Sequence, residues 1–181
     1  MRARQQGVTL IEITIGLILV AVLAALAVPS FRDWIQNAQV RTATESIQEG
    51  LQLARAEAVR TNGPVAFTLT NTAGAGWTVR TLNVNDLTAV ATTQDRSAAE
   101  TSSARVTASA TVVCFNGTGQ QIPAAEGLCP ARTQVTFNVD NPTAGTCAPS
   151  GTVRCLRVVV RTGGQVRMCD PALPTSDSQS C

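Results

Sequence analysis

The chain has no lysine, no histidine and no tyrosine, and aromatic residues make up 3% of its 181 positions. Without His or Lys the commonest general bases and the Schiff-base nucleophile are missing. No Gly-Lys-Ser/Thr loop cradles a phosphate, no Gly-x-Ser-x-Gly elbow occurs, and the acids are scattered rather than clustered. Neither catalysis nor a cofactor is expected. All 14 basic residues are Arg, and setting aside Arg2 and Arg4 leaves 12 Arg against 12 acids. That balance excludes a global electrostatic affinity for nucleic acid, so any such affinity requires a local patch. Cysteine is missing before Cys114, and all six lie between there and Cys181. Their even number suits disulfides in an oxidising compartment, while the lack of His and of any Cys-x-x-Cys speaks against a metal centre. Six cysteines allow fifteen pairings. The expected one joins sequence neighbours, Cys114 with Cys129, Cys147 with Cys155 and Cys169 with Cys181, each closing a short loop that contributes about 2–3 kcal/mol.

Charge is also absent from Val8 to Val28, with one exception, Glu12. At about 1.5 Å per residue this run makes a helix roughly 31 Å long, close to the hydrocarbon thickness of a bilayer. An acid deep in lipid costs on the order of 2.5–3.5 kcal/mol and less near the interface, so Glu12 calls for a function and a partner. Arg2 and Arg4 precede the run and the mixed pair Arg32–Asp33 follows it, which keeps the N-terminus cytoplasmic and exports the body. A cleavable secretory signal, with Ala25-Leu26-Ala27 as its cleavage site, is one reading; the run exceeds the usual h-region and holds an acid. A plain anchor is a second, but nothing in it requires Glu12. The third starts from Gly7-Val8-Thr9-Leu10-Ile11-Glu12, which resembles the prepilin motif of type IV pilins and type II secretion pseudopilins. The resemblance implies that a prepilin peptidase cuts after Gly7 and that the new amino group of Val8 is methylated. The family usually has Phe where this chain has Val8. After cleavage that amine and the Glu12 carboxylate lie one turn apart and can neutralise each other, within a subunit or between neighbours in a bundle.

Pro29 is expected to end or kink the helix. Beyond it Ala43, Ile47, Leu51, Ala54 and Ala58 recur at spacings of three and four, the mark of an amphipathic helix with a narrow apolar face. Arg41 and Glu45 form an i,i+4 pair on its wetter side. Asn62-Gly63-Pro64 is a stop, with Gly63 offering the left-handed cap. The segments Pro29–Asp33 and Gly50–Asn62 are similar to the corresponding helix of the GspH/FimT family of minor pilins and pseudopilins. The resulting organisation is a leader (1–7), a transmembrane and assembly helix (8–28), an amphipathic helix (29–62) and a periplasmic β-rich domain with disulfides (63–181). The resemblance implies incorporation into a pilus or pseudopilus, with other pilins, the prepilin peptidase and the inner membrane as partners.

After Pro64 the apolar period changes to two. Val65, Phe67 and Leu69 share a face, as do Trp77 and Val79 after the Gly74-Ala75-Gly76 turn; Val106, Ala108, Ala110 and Val112 form another stripe, and Val135, Phe137 and Val139 a third. Leu87–Ala104 and Gln120–Pro130 read as loops or irregular edges, and Asn116-Gly117-Thr118 as a turn. A long helix followed by antiparallel strands predicts an α+β fold, the sheet packed on the helix and folded into a small sandwich.

From Asn141 to Cys169 there are four Arg and no acid. Across Thr162-Gly163-Gly164 a three-residue loop pairs Val160 with Val166 and Val158 with Met168, which keeps one face apolar; a two-residue loop mixes the faces. The three-residue register gathers Arg157, Arg161 and Arg167 on the outer face. In DNA-binding FimT proteins the corresponding hairpin carries Gly-Arg-x-Arg for natural transformation, and this chain has Gly164-Gln165-Val166-Arg167. The resemblance thus implies a contact of these three Arg with double-stranded DNA, weakened by Gln165, whose amide offers neutral hydrogen bonds in place of a guanidinium fork. The other reading is a solvated edge hairpin that resists edge-to-edge pairing. The expected function is that of a minor pilin in pilus assembly or initiation; the alternatives are a type II secretion pseudopilin and an exported protein with an ordinary signal peptide.

Overall fold

The computed structural model describes residues 9–98, 102–122 and 127–181, without the side chains of 26–30. It divides into two compact units, one ending at Ile35 and one running from Gln36 to Cys181. Helix α1 is a single element, Leu10–Thr61, and Pro29 does not end it. Among the described residues no helix is long and apolar enough to cross a membrane; of the expected span, Val8 and the side chains of 26–28 lie outside them.

The amphipathic reading of α1 holds in the second unit. Ala43, Ile47, Leu51, Ala54 and Ala58 are all buried, joined by Val40. Arg41 and Glu45 form the expected exposed pair at 2.8 Å. The stop is built differently from the expectation. Asn62, with φ +47°, takes the left-handed position; its N–H donates to Val59 O and that of Gly63 to Ala58 O, a Schellman cap. Asn tolerates this conformation because its short polar side chain offers local hydrogen bonds, and the cap needs one such residue.

Among the described residues eight strands follow: β1 (Val65–Asn71), β2 (Gly76–Leu82), β3 (Ala89–Arg96), β4 (Arg105–Ala108), β5 (Val112–Phe115), β6 (Val135–Asp140), β7 (Leu156–Val160) and β8 (Val166–Cys169). They form two antiparallel four-stranded sheets, ordered β3-β2-β1-β5 and β4-β6-β7-β8. Both sheets and the amphipathic face of α1 enclose one core, with Phe67, Phe115 and Phe137 fully buried in it. Phe67 of the first sheet meets Phe137 of the second edge-on, ring centroids 5.8 Å apart. Trp77 packs beside Phe67 and donates from Nε1 to Ser46 Oγ of the helix at 3.0 Å. Gly50 makes that approach possible, since a Cβ there would lie 2.7 Å from the Trp77 ring. The α+β sandwich is the fold the sequence predicts.

One stripe is corrected. Val106 to Val112 is two strands in two sheets, β4 beside β6 and β5 beside β1. The chain crosses between them at residues 109–111: Ser109 N–H still donates to Thr136 O, while Thr111 O already accepts from Leu69 N–H. The crossing shifts the alternation by one residue, so that Val113 and Phe115 face the main core. Val112 packs instead on a second cluster with Ala66, Leu82, Leu87 and Ile122, covered by the Cys114–Cys129 disulfide. Leu87–Ala104 contains β3, an irregular edge strand with two register shifts and every residue exposed. Of Gln120–Pro130, residues 123–126 lie outside the described ones.

Candidate functional site

Two surfaces carry the residues singled out by the sequence. The first is the start of α1. Gly7 and Val8 lie outside the described residues, so the expected cleavage and methylation positions and the Val8–Glu12 pair have no geometry here. Glu12 sits in the first helical turn, where the positive end of the helix dipole favours a carboxylate. Its N–H donates to Thr9 O at 3.1 Å and to Thr9 Oγ1 at 3.4 Å, which makes Thr9 the N-cap. Sequence reasoning passed over Thr9, although Thr-x-x-Glu before an apolar run is the pattern of a capping box. Between residues 9 and 25 Glu12 is the one charge. The apolar side chains around it are open: Leu10 is 82% exposed, Ile11 68% and Leu23 66%. A contiguous apolar surface of this kind requires a partner, lipid or protein.

The second surface is the β7–β8 hairpin. Its register is the predicted one, Val160 opposite Val166 and Val158 opposite Met168. Arg161 N–H donates to Gln165 O and Gly164 N–H to Arg161 O, closing the loop 162–164, with Gly164 left-handed at φ +80°. A side chain at Gly164 would also run into the carbonyl of Gly119. Val158 and Val160 are fully buried, and Arg157, Arg161 and Arg167 come together on the other face. They line a cleft of about 110 Å³ with Gln134, Thr136 and Cys181.

The three guanidinium groups are not equally available. Arg157 Nε donates to Asn138 Oδ1 across the sheet at 2.6 Å. Arg167 Nη2 donates to the carbonyls of Ser178 and Ser180 in the C-terminal segment. Arg161 is exposed, and its guanidinium has no hydrogen-bond partner among the described residues. Arg154, the fourth Arg of the stretch, is neutralised by Asp170 at 2.8 Å. Asn138 and the two serine carbonyls leave no local pattern in the sequence, since the first is a side-chain acceptor set opposite Arg157 by strand pairing and the others are backbone acceptors brought in by the C-terminal segment.

The cysteines pair as expected, Cys114–Cys129, Cys147–Cys155 and Cys169–Cys181. The last ties the C-terminal segment back to β8, where Asp170 and Ser180 form a parallel bridge. Among the described residues no cluster of His, Cys, Asp or Glu could hold a metal ion.

Residues 43–164 match the family described as type II transport protein GspH, and residues 2–28 match the prokaryotic N-terminal methylation motif. The chain is similar in structure to the type IV minor pilin FimU of Pseudomonas aeruginosa (strain PAO1) in its P21 crystal form. Sequence identity is 18%, the TM-score is 0.56, and the match covers 82% of this chain and 98% of that one. The P65 crystal form gives 18% identity and a TM-score of 0.53 over 78% and 98% of the two chains. At that identity the likeness bears on the fold. No curated protein matches the chain.

Proposed function

This chain belongs to the GspH family, among the minor type IV pilins and pseudopilins, and we propose that it helps assemble or initiate a pilus through the N-terminal part of α1. The observation that carries this reading is the open apolar surface of Leu10–Leu23 with Glu12 as its one charge, inside a match to the methylation motif. In the membrane lipid covers that surface. In a filament parallel helices of neighbouring subunits replace the lipid, and the Glu12 carboxylate meets the amine that cleavage after Gly7 creates at Val8. The N-terminus is cytoplasmic before cleavage and the disulfide-bearing unit is periplasmic. No catalytic role is proposed.

Mass spectrometry of the mature N-terminus tests the reading directly. A methylated Val8 is expected, and a chain starting at Val28 overturns it. Glu12→Gln keeps the cleavage site and removes the charge; the expected result is processing as in the wild type with incorporation into filaments reduced at least tenfold. A deletion phenotype in twitching rather than in secretion assigns the pilus over the pseudopilus.

A second reading rests on the cleft shared by Arg157, Arg161 and Arg167. Three guanidinium groups around one depression suit the phosphates of duplex DNA, with Arg161 the most available. Arg161→Ala in the full chain then weakens duplex binding and lowers its salt slope by about 0.9 for the lost phosphate contact. Absence of duplex binding by the wild-type chain at low salt overturns this reading and leaves a solvated edge hairpin.

A further inference from the structure

The chain has six aromatic side chains, four Phe and two Trp. Phe67, Phe115, Phe137 and Trp77 are no more than 2% exposed. Phe31 and Trp34 are the opposite case, 60% and 66% exposed. They lie three residues apart on α1 and stack at 5.9 Å between ring centroids, with an interplanar angle of 25°. Both belong to the N-terminal unit, which ends at Ile35.

Their distance along the helix from the apolar run selects a partner. Counting from Val28, its last apolar residue, Phe31 lies about 4.5 Å and Trp34 about 9 Å further along the helix axis. Helical side chains lean toward the N-terminus, which brings both rings back toward the run. The headgroup layer on each side of a bilayer is about 5–8 Å thick, so both rings fall within it when Val8–Val28 spans the hydrocarbon. An indole is suited to that layer, with an apolar body for the acyl boundary and an N–H for ester and phosphate oxygens. Arg32, exposed between the two rings in sequence, adds a donor to lipid phosphate. We propose that the Phe31–Trp34 pair, with Arg32, is a lipid-headgroup anchor in the outer leaflet of the inner membrane that fixes the depth of the helix before assembly. The proposal rests on the reading of Val8–Val28 as a membrane span.

The test uses the full chain reconstituted in phosphatidylcholine–phosphatidylglycerol vesicles that contain lipids brominated at stated depths. Trp77 is 2% exposed in the core and serves as a constant background, so the difference between wild type and Trp34→Phe isolates the Trp34 emission. Expected is a blue-shifted Trp34 component quenched at least twofold more by bromines near the glycerol than by bromines near the acyl termini. With the chain retained through an alkaline wash, a water-like, unquenched Trp34 overturns the anchor and leaves the span intact. So does quenching greatest at the bilayer centre. Release of the chain by the wash overturns the span and the anchor together.

Discussion

Gly50 lies in the middle of a helix, where glycine costs about 1 kcal/mol relative to alanine. Its sequence context gives no hint of a reason for that cost. The reason is Trp77, whose ring lies against the helix backbone, with the Phe67 ring 2.8 Å from where a Cβ would stand. Gly50→Ala is therefore expected to reverse the usual helix preference and destabilise the domain by about 1–2 kcal/mol, the cost of overpacking less the gain in propensity. Urea unfolding followed by Trp fluorescence measures it, and an unchanged or raised midpoint contradicts the packing argument. Other residue-level features were readable. The Arg41–Glu45 pair follows from spacing, and the burial of Ala43, Ile47 and Leu51 from period. The left-handed residue of the cap was misassigned, because Gly63 and Asn62 both accept that conformation and the hydrogen bonds to Val59 and Ala58 decide between them.

Among the elements, the β7–β8 hairpin was the most legible, since one register alone keeps Val158, Val160, Val166 and Met168 on a common face. The stripe from Val106 to Val112 was the least. Alternation there is continuous to the eye, yet β4 and β5 belong to different sheets, and the crossing at 109–111 is held by partners far away in sequence, Thr136 and Leu69. The C-terminal segment is an element made by its disulfide: Cys169–Cys181 presents the Ser178 and Ser180 carbonyls to Arg167. Replacing both cysteines by alanine is expected to cost about 2–3 kcal/mol from loop closure. The denaturant midpoint of the double variant checks this; equality with the wild type shows that the segment is held without the bond.

For the whole molecule, the absence of histidine and of free cysteine among the described residues shapes the pH response. Among the described residues, Glu57 and Asp86 titrate below their ordinary values. Glu57 is lowered by its hydrogen bond with Arg60 and that residue's charge, against some cost of burial, and Asp86 by hydrogen bonds from Thr88. A carboxyl group whose folded value lies below its unfolded one adds stability above the unfolded value, and that stability is lost as pH falls through the folded value. Stability should therefore stay level from about pH 5 to 7 and decline only below the ordinary carboxylate range near 4.5. Thermal melts across that range test it, and a step near pH 6.5 runs against it. The sequence by itself determined the uncharged run with its single acid, the helix that follows, the α+β class and the hairpin register. Each of these is set by local period or by charge within one segment. Tertiary structure alone decided which sheet each strand joined, why Gly50 is glycine, and which of three gathered arginines keeps its guanidinium unengaged. Those outcomes depend on contacts between residues distant in sequence, whose shapes and carbonyl positions exist only once the core has closed.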